Sequence, residues 1–246
     1  QELRPEFDWQ KWSSSAEDLQ GMGRPAALRV LFQATLIHAF ESELLRLKNA
    51  DCVWGPVHSS VGQEAAAAAA IAALRKSDKI TGSHRAHHQF LAKALNYVLP
   101  EDWEPVSREL PEDAREVVRR TMAEILGLAA GYCGGRGGSM HLRFAEAGIL
   151  GTNAIVGGGI PIATGAAFAE KRLGTNNVVV CFFGDGAANQ GSFHEALNLA
   201  GLWCLPIVYF IENNEYAVAT ASAKAAAVRD LSLRAASYNL RGRMVD

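Results

Sequence analysis

Residues Val178–Tyr216 read VVVCFFGDGAANQGSFHEALNLAGLWCLPIVYFIENNEY. The stretch opens on an apolar run, Val178–Phe183, of the kind that forms a strand buried on both faces of a parallel sheet. Gly184-Asp185-Gly186 breaks the run. A helical pattern follows, with Phe193, Ala196, Leu197 and Ala200 on one face and Gly201 near its end. Pro206 begins a second apolar run, Ile207–Ile211, which stops at Glu212-Asn213-Asn214. The pattern predicts one strand–helix–strand crossover with parallel strands.

Neighbouring strands lie roughly 4.8 Å apart, so the ends of two such strands are close. Asp185 follows the first and Asn214 the second, which puts both at the carboxyl edge of the sheet, where open α/β sheets bind ligands. A carboxylate oxygen and an amide oxygen are hard donors that suit Mg²⁺ or Ca²⁺ rather than zinc. Mg²⁺ held by few protein ligands completes its shell with phosphate oxygens and water. The glycines beside Asp185 let a phosphate approach the backbone, and the helix start after Asn189 offers free N–H groups to an anion. The stretch therefore predicts a metal-bridged diphosphate. The competing reading is a buried Asp capping a helix in an unrelated α/β protein.

Gly184-Asp185-Gly186 followed about thirty residues later by Asn213-Asn214 resembles the signature of thiamine-diphosphate enzymes. GDGAANQGSFHEALNLA…LPIVYFIENNEYAVAT resembles, more narrowly, the α subunit or α half of the E1 component of 2-oxo acid dehydrogenase complexes. The likeness runs from about Ala26 to the C-terminus. It implies an α/β fold, a mostly parallel sheet flanked by helices on both faces, that binds thiamine diphosphate and Mg²⁺. The metal would be held by Asp185, Asn214 and the carbonyl of Tyr216. The backbone at Gly186-Ala187 would meet the diphosphate.

The resemblance extends upstream. Ser83-His84-Arg85-Ala86-His87-His88 matches a segment that lines the cofactor in the family, which gives His84 and Arg85 to the cofactor. Arginine suits the role, because its planar fork grips phosphate oxygens in pairs; a surface ion-pair role is the alternative. Read alone, the histidines invite a zinc site, but no fourth ligand at usual spacing accompanies them. Gly134-Gly135-Arg136-Gly137-Gly138-Ser139-Met140-His141 is a second family feature, expected as an ordered loop at the mouth of the site rather than a mobile linker. Asn153–Gly165 reads NAIVGGGIPIATG, whose spacing is wrong for a dinucleotide fingerprint. The resemblance places main-chain groups near Ala154 and Val156 against the aminopyrimidine ring. His58 and His141 are candidate catalytic groups, since imidazole can donate or relay a proton near neutrality; packed, hydrogen-bonded histidines are the alternative. His38, His194, Glu64 and Glu195 read as structural.

Composition bounds the rest. The chain has 246 residues, 49% hydrophobic, with a formal net charge of −2. That supports one sizeable core, implies no nucleic-acid partner, and contains no apolar run long enough to span a membrane. The four cysteines are scattered, and Cys181 and Cys204 read as small core residues, which fits a reducing compartment such as a bacterial cytoplasm or a mitochondrial matrix. Residues 1–24 read as an N-terminal arm that packs over a neighbour or is poorly ordered, and residues 25–246 as one α/β domain, expected to continue beyond Asp246. Apolar spacing at Leu28, Leu31, Thr35, Leu36, Ala39, Leu44 and Leu47 predicts a helix from Ala26 to Lys48. Helices are also expected over Gln63–Lys76, from Asp113 to about Ala129, over Ile160–Arg172 and over Val228–Tyr238. Lys79–Thr81 is expected as a short strand, Arg243–Asp246 as the start of another, and Asn96–Pro111 as a surface loop.

The glutamate that protonates the cofactor ring in this family comes from the β subunit or half, and nothing here matches it. The resemblance thus implies a cofactor-anchoring chain with an E1 β partner, a lipoyl domain of E2 as acyl acceptor and a small 2-oxo acid as substrate. An acetoin-cleaving thiamine enzyme, and a non-catalytic subunit that keeps the fold, are the competing readings; the intact Asp185/Asn214 pair argues against the latter.

Overall fold

A computed structural model describes residues 9–245. In chain order the elements are β1 (Trp9–Trp12), α1 (Ala16–Met22), α2 (Arg24–Asn49), α3 (Glu64–Ala72), β2 (Lys79–Gly82), α4 (His87–Val98), α5 (Glu112–Ile125), β3 (Ile149–Thr152), α6 (Gly159–Leu173), β4 (Val179–Gly184), α7 (Gly191–Leu202), β5 (Ile207–Glu212), β6 (Tyr216–Ala217), β7 (Thr220–Ala221), α8 (Ser222–Ala225) and β8 (Gly242–Val245). The class is α/β, as expected. The chain divides into two compact units: Gly23–Ile155, and Val156–Asp246 together with the first 22 residues.

In the second of these, β4 and β5 pair in parallel, in register from Val179 opposite Ile207 to Gly184 opposite Glu212. Val179, Cys181 and Phe183 face a core built with Ile160, Ala163 and Ala167 of α6 and with Phe193, Ala196 and Leu197 of α7. Tyr209 ties the layers together, its hydroxyl meeting Thr164 Oγ1 at 2.7 Å and donating to the Ala196 carbonyl at 3.2 Å. Phe182, on the opposite side of β4, is also buried, so both faces are covered as its unbroken apolar run predicts.

The segment expected as an arm is tied down where it is described. β1 runs parallel to β8, with Trp9 opposite Gly242 and Trp12 opposite Val245. Trp9 Nε1 donates to Ser232 Oγ at 2.7 Å, and Arg243 lies over the Trp12 ring. Residues 1–8 of that segment lie outside the described residues. The expected helix over Val228–Tyr238 is a 3-10 segment, Leu231–Tyr238, started by Asp230, whose carboxylate accepts Ser232 N–H. Cys204 is exposed rather than core, since it lies in the turn after α7; Cys181 is buried.

In the unit Gly23–Ile155, β2 and β3 pair in parallel with a register shift after Ile80. α3 packs on α2 and α4, burying Ala67, Ala68 and Ile71, which accounts for the alanine run. The buried stripe of α2 is Gln33, Ile37, Phe40, Glu41 and Leu44. It is rotated from the expected one: Leu31 is exposed, because apolar residues surround this helix and its neighbours choose the face. α5 ends at Ile125, earlier than expected, where Gly127 turns the chain. β3 was not expected, since Gly151 interrupts its apolar pattern. The loop after α4 is not wholly superficial: Trp103 is buried, packed edge-on against Phe32 and donating from Nε1 to the Glu109 carbonyl.

Candidate functional site

Asp185 stands directly after β4 and is 3% exposed. Burial pushes its carboxyl above the ordinary carboxylate value, although backbone N–H groups of Asp185, Asn214 and Gly186 bond to it and pull the other way. The register of β4 and β5 produces this meeting, because Gly184 opposite Glu212 leaves both tips emerging at one level. Asn214 and Tyr216 are exposed. Asn214 Oδ1 accepts the Tyr216 N–H at 3.2 Å and folds the segment over itself. Gly186 is required by close approach: a Cβ there would lie 2.5 Å from the Ala217 Cβ. Ala187 is buried in the short 3-10 turn Ala187–Asn189, and Arg234 braces that turn by donating to the Ala188 carbonyl at 2.7 Å and to Asn189 Oδ1 at 2.9 Å.

A buried carboxylate at a strand tip, followed in the neighbouring strand's loop by an exposed amide-bearing residue, has the oxygen donors that suit a hard divalent cation. The residues present therefore fit Mg²⁺ with a diphosphate. Among the described residues no group of three or more His, Cys, Asp and Glu side chains is set to hold a metal. Val156 is exposed.

The other candidates lie in the unit Gly23–Ile155. His58 and His84 meet ring to ring, edge-on, with centroids 4.8 Å apart. Burial lowers both below the ordinary imidazole value, and the Arg85 guanidinium adds to it. Arg85 donates from Nη1 to the Ser59 carbonyl and is half-buried. Ala154 follows β3 in a turn closed by Ile155 N–H donating to Asn153 Oδ1 at 2.8 Å. His141 is exposed. The histidines of the HxxHH segment are spent separately: His84 on His58, and His87 on Glu41 and Ser139.

The glycine-rich loop is an ordered structure held by side chains that sequence reading missed. Glu124, buried on α5, accepts N–H bonds from Cys133 at 2.6 Å, Gly135 at 2.9 Å and Gly137 at 2.6 Å. Gly137 is needed, because a Cβ there would meet the His141 carbonyl oxygen at 2.0 Å. His87 Nε2 meets Ser139 Oγ at 2.9 Å, and the same hydroxyl accepts a long bond from His58 N–H at 3.5 Å. Glu41 and Glu124 carry no readable signal, since a carboxylate on an amphipathic helix reads as solvent-facing. His38 bonds Glu64 at 2.8 Å and His194 bonds Tyr238 at 2.6 Å, both structural uses.

The family model described as dehydrogenase E1 component matches residues 33–246. The chain belongs to the dehydrogenase E1 component family. Its relatives include the α subunit of an acetoin:2,6-dichlorophenolindophenol oxidoreductase from Bacillus subtilis, 42% identical over 85% of this chain and 57% of that protein. Pyruvate dehydrogenase E1 α subunits are similar too: that of Rhizobium meliloti is 35% identical over 89% of this chain and 57% of the relative, and that of Rickettsia bellii 39% identical over 84% and 57%. This E1-family chain thus spans rather more than half the length of the curated relatives it matches. No described helix is long and apolar enough to cross a membrane.

Proposed function

We propose that this E1-family chain is the cofactor-anchoring α part of a thiamine-diphosphate- and Mg²⁺-dependent 2-oxo acid dehydrogenase of the pyruvate or branched-chain type. It works with an E1 β partner and passes an acyl group to the lipoyl domain of E2. The observation that supports this reading is the buried Asp185 carboxylate at the tip of one strand, with Asn214 just past the tip of its parallel neighbour.

Thiamine diphosphate, when bound, would supply the electron sink that decarboxylation of a 2-oxo acid needs. The residues of this chain bind and orient. Asp185, the Asn214 amide oxygen and the Tyr216 carbonyl would hold Mg²⁺, and Gly186, Ala187 and Arg85 would meet the diphosphate. His84, with Ala154 and Val156, would line the cofactor. His58 and His141 would contact substrate and hold or give a proton there. No carboxylate of this chain is assigned to the cofactor's ring nitrogen; that task falls to the β partner.

A second reading, acetoin cleavage, is favoured by the B. subtilis relative, whose 42% identity exceeds that of the pyruvate dehydrogenase subunits above. Calorimetry of the full-length chain with its β partner, thiamine diphosphate and Mg²⁺ tests the cofactor assignment. Asp185→Ala should abolish Mg²⁺-dependent binding, and binding retained in that variant overturns the reading. Turnover of pyruvate, branched 2-oxo acids and acetoin by the native assembly then separates the two substrates.

A further inference from the structure

Glu41 is a carboxylate at 0% exposure on a helix face it shares with Gln33, Ile37, Phe40 and Leu44. A charge in that position is costly unless it is fully bonded. Its Oε1 accepts from Ser60 Oγ at 2.7 Å and meets His87 Nδ1 at 2.8 Å, while its Oε2 is buried with no hydrogen-bond partner among the described residues. Burial pushes this carboxyl up, but His87 and the hydroxyls of Ser60 and Ser59 outweigh it and keep it below its ordinary value. An ionised carboxylate only accepts, so His87 Nδ1 carries the hydrogen of that bond. The ring, itself 0% exposed, then aims Nε2 at Ser139, 2.9 Å from the hydroxyl and 3.0 Å from the carbonyl oxygen.

One carboxylate therefore ties together four segments: α2, the Ser59-Ser60 turn, the start of α4 and the end of the glycine-rich loop. His58 lies two residues before Ser60, and His141 two residues after Ser139. We infer that Glu41 and His87 are a positioning pair that sets both candidate histidines by fixing Ser139 against the His58 segment. Neither touches substrate. Glu124 secures the first half of the same loop, Cys133–Gly137, on its own. The two anchors divide the loop, so losing one loosens its own half. The effect on turnover rests on the proposed E1 activity; the effect on the loop does not.

Hydrogen exchange on the full-length chain with its β partner separates the possibilities. In Glu41→Gln and His87→Gln, amides of residues 138–141 and 58–60 should exchange at least about tenfold faster, with residues 133–137 unchanged. In the same variants kcat/KM should fall at least about tenfold while thiamine-diphosphate affinity stays within about twofold. Ser139→Ala should loosen residues 138–141 similarly and add nothing to His87→Gln in the double variant. Ser139→Ala removes one hydroxyl only, so it decides the matter if the charged variants do not fold. Unchanged exchange at 138–141, or a rise spread evenly over Gly23–Ile155, overturns the inference. If the native assembly binds no thiamine diphosphate, the E1 reading fails while the exchange result still decides this one.

Discussion

The backbone N–H of Asn214 favours the ionised carboxylate of Asp185, which stands at the tip of the adjacent parallel strand. The contact is between neighbours in space separated by a whole crossover in sequence. It makes the local backbone, as well as the side chains, part of the proposed metal site.

Asp185→Asn should separate stability from binding. Burial raises the Asp185 carboxyl above its ordinary 3.8, so the folded protein holds that proton more tightly than the unfolded chain. Its contribution favours folding below that value and is lost as pH rises through the folded value, where the carboxyl becomes a buried charge. The neutral amide should leave the cofactor-free melting temperature unchanged or higher. It should remove the shift given by Mg²⁺ with thiamine diphosphate, which for the native protein is about 2.7 kcal/mol at a hundredfold excess over Kd. Differential scanning fluorimetry reads both.

Gly186→Ala places a methyl group against Ala217, whose Cβ would be 2.5 Å away. The β6–β7 hairpin must shift, at a cost of about 1–3 kcal/mol. Because that hairpin carries Tyr216, Mg²⁺-dependent affinity should weaken by about tenfold or more, since 1.4 kcal/mol is one decade. Ala217→Gly in the same chain should restore most of it, as titration calorimetry would record.

His58 and His84 both titrate below the ordinary 6.5, chiefly because burial disfavours their charged forms. The folded state then binds fewer protons than the unfolded chain between those folded values and 6.5. Their stabilising effect is complete above 6.5 and is lost as pH falls through the folded values. Melting temperature should drop on acidification from pH 7 toward 5, and the slope should flatten in His58→Gln and in His84→Gln.

Glu124→Ala removes the acceptor of three loop N–H groups from a buried position. Hydrogen bonds to charged groups and the penalty for orphaned donors together predict a loss on the order of 3 kcal/mol. Urea denaturation of the native and variant chains measures it, and Glu124→Gln, which keeps one acceptor, should fall between them.

What could be read beforehand was local. The run Val178–Phe183, the break at Gly184-Asp185-Gly186 and the helical spacing of Phe193, Ala196, Leu197 and Ala200 each carry their own signal, and the structure buries Val179–Phe183, Asp185 and all four of those helical residues. The phase of α2 was not legible, since Leu28, Leu31 and Leu36 compete with Ile37, Phe40 and Leu44 for the inner face and only α3 and α4 decide. Glu41 and Glu124 were invisible for a related reason: whether a helical carboxylate faces water or a nest of N–H groups depends on segments far away in sequence. Trp103 was hidden inside an acidic, proline-rich stretch whose composition suggests the surface. β3 and the pairing of β1 with β8 were missed because the first is broken by glycine and the second is wholly non-local.

That last pairing has a bearing on synthesis. Gly23–Ile155 is continuous and can collapse as soon as it leaves the ribosome, whereas β1 must wait for residues 242–245. At roughly 5–20 residues per second the wait is on the order of ten seconds or more. During that interval a tryptophan-bearing strand edge stands uncovered, and the loop finally closed is nearly as long as the described chain, which makes it the costliest closure in entropy. The unit that contains Asp185 is therefore completed later on the nascent polypeptide than Gly23–Ile155, and its closure is a step in need of protection from association with other chains.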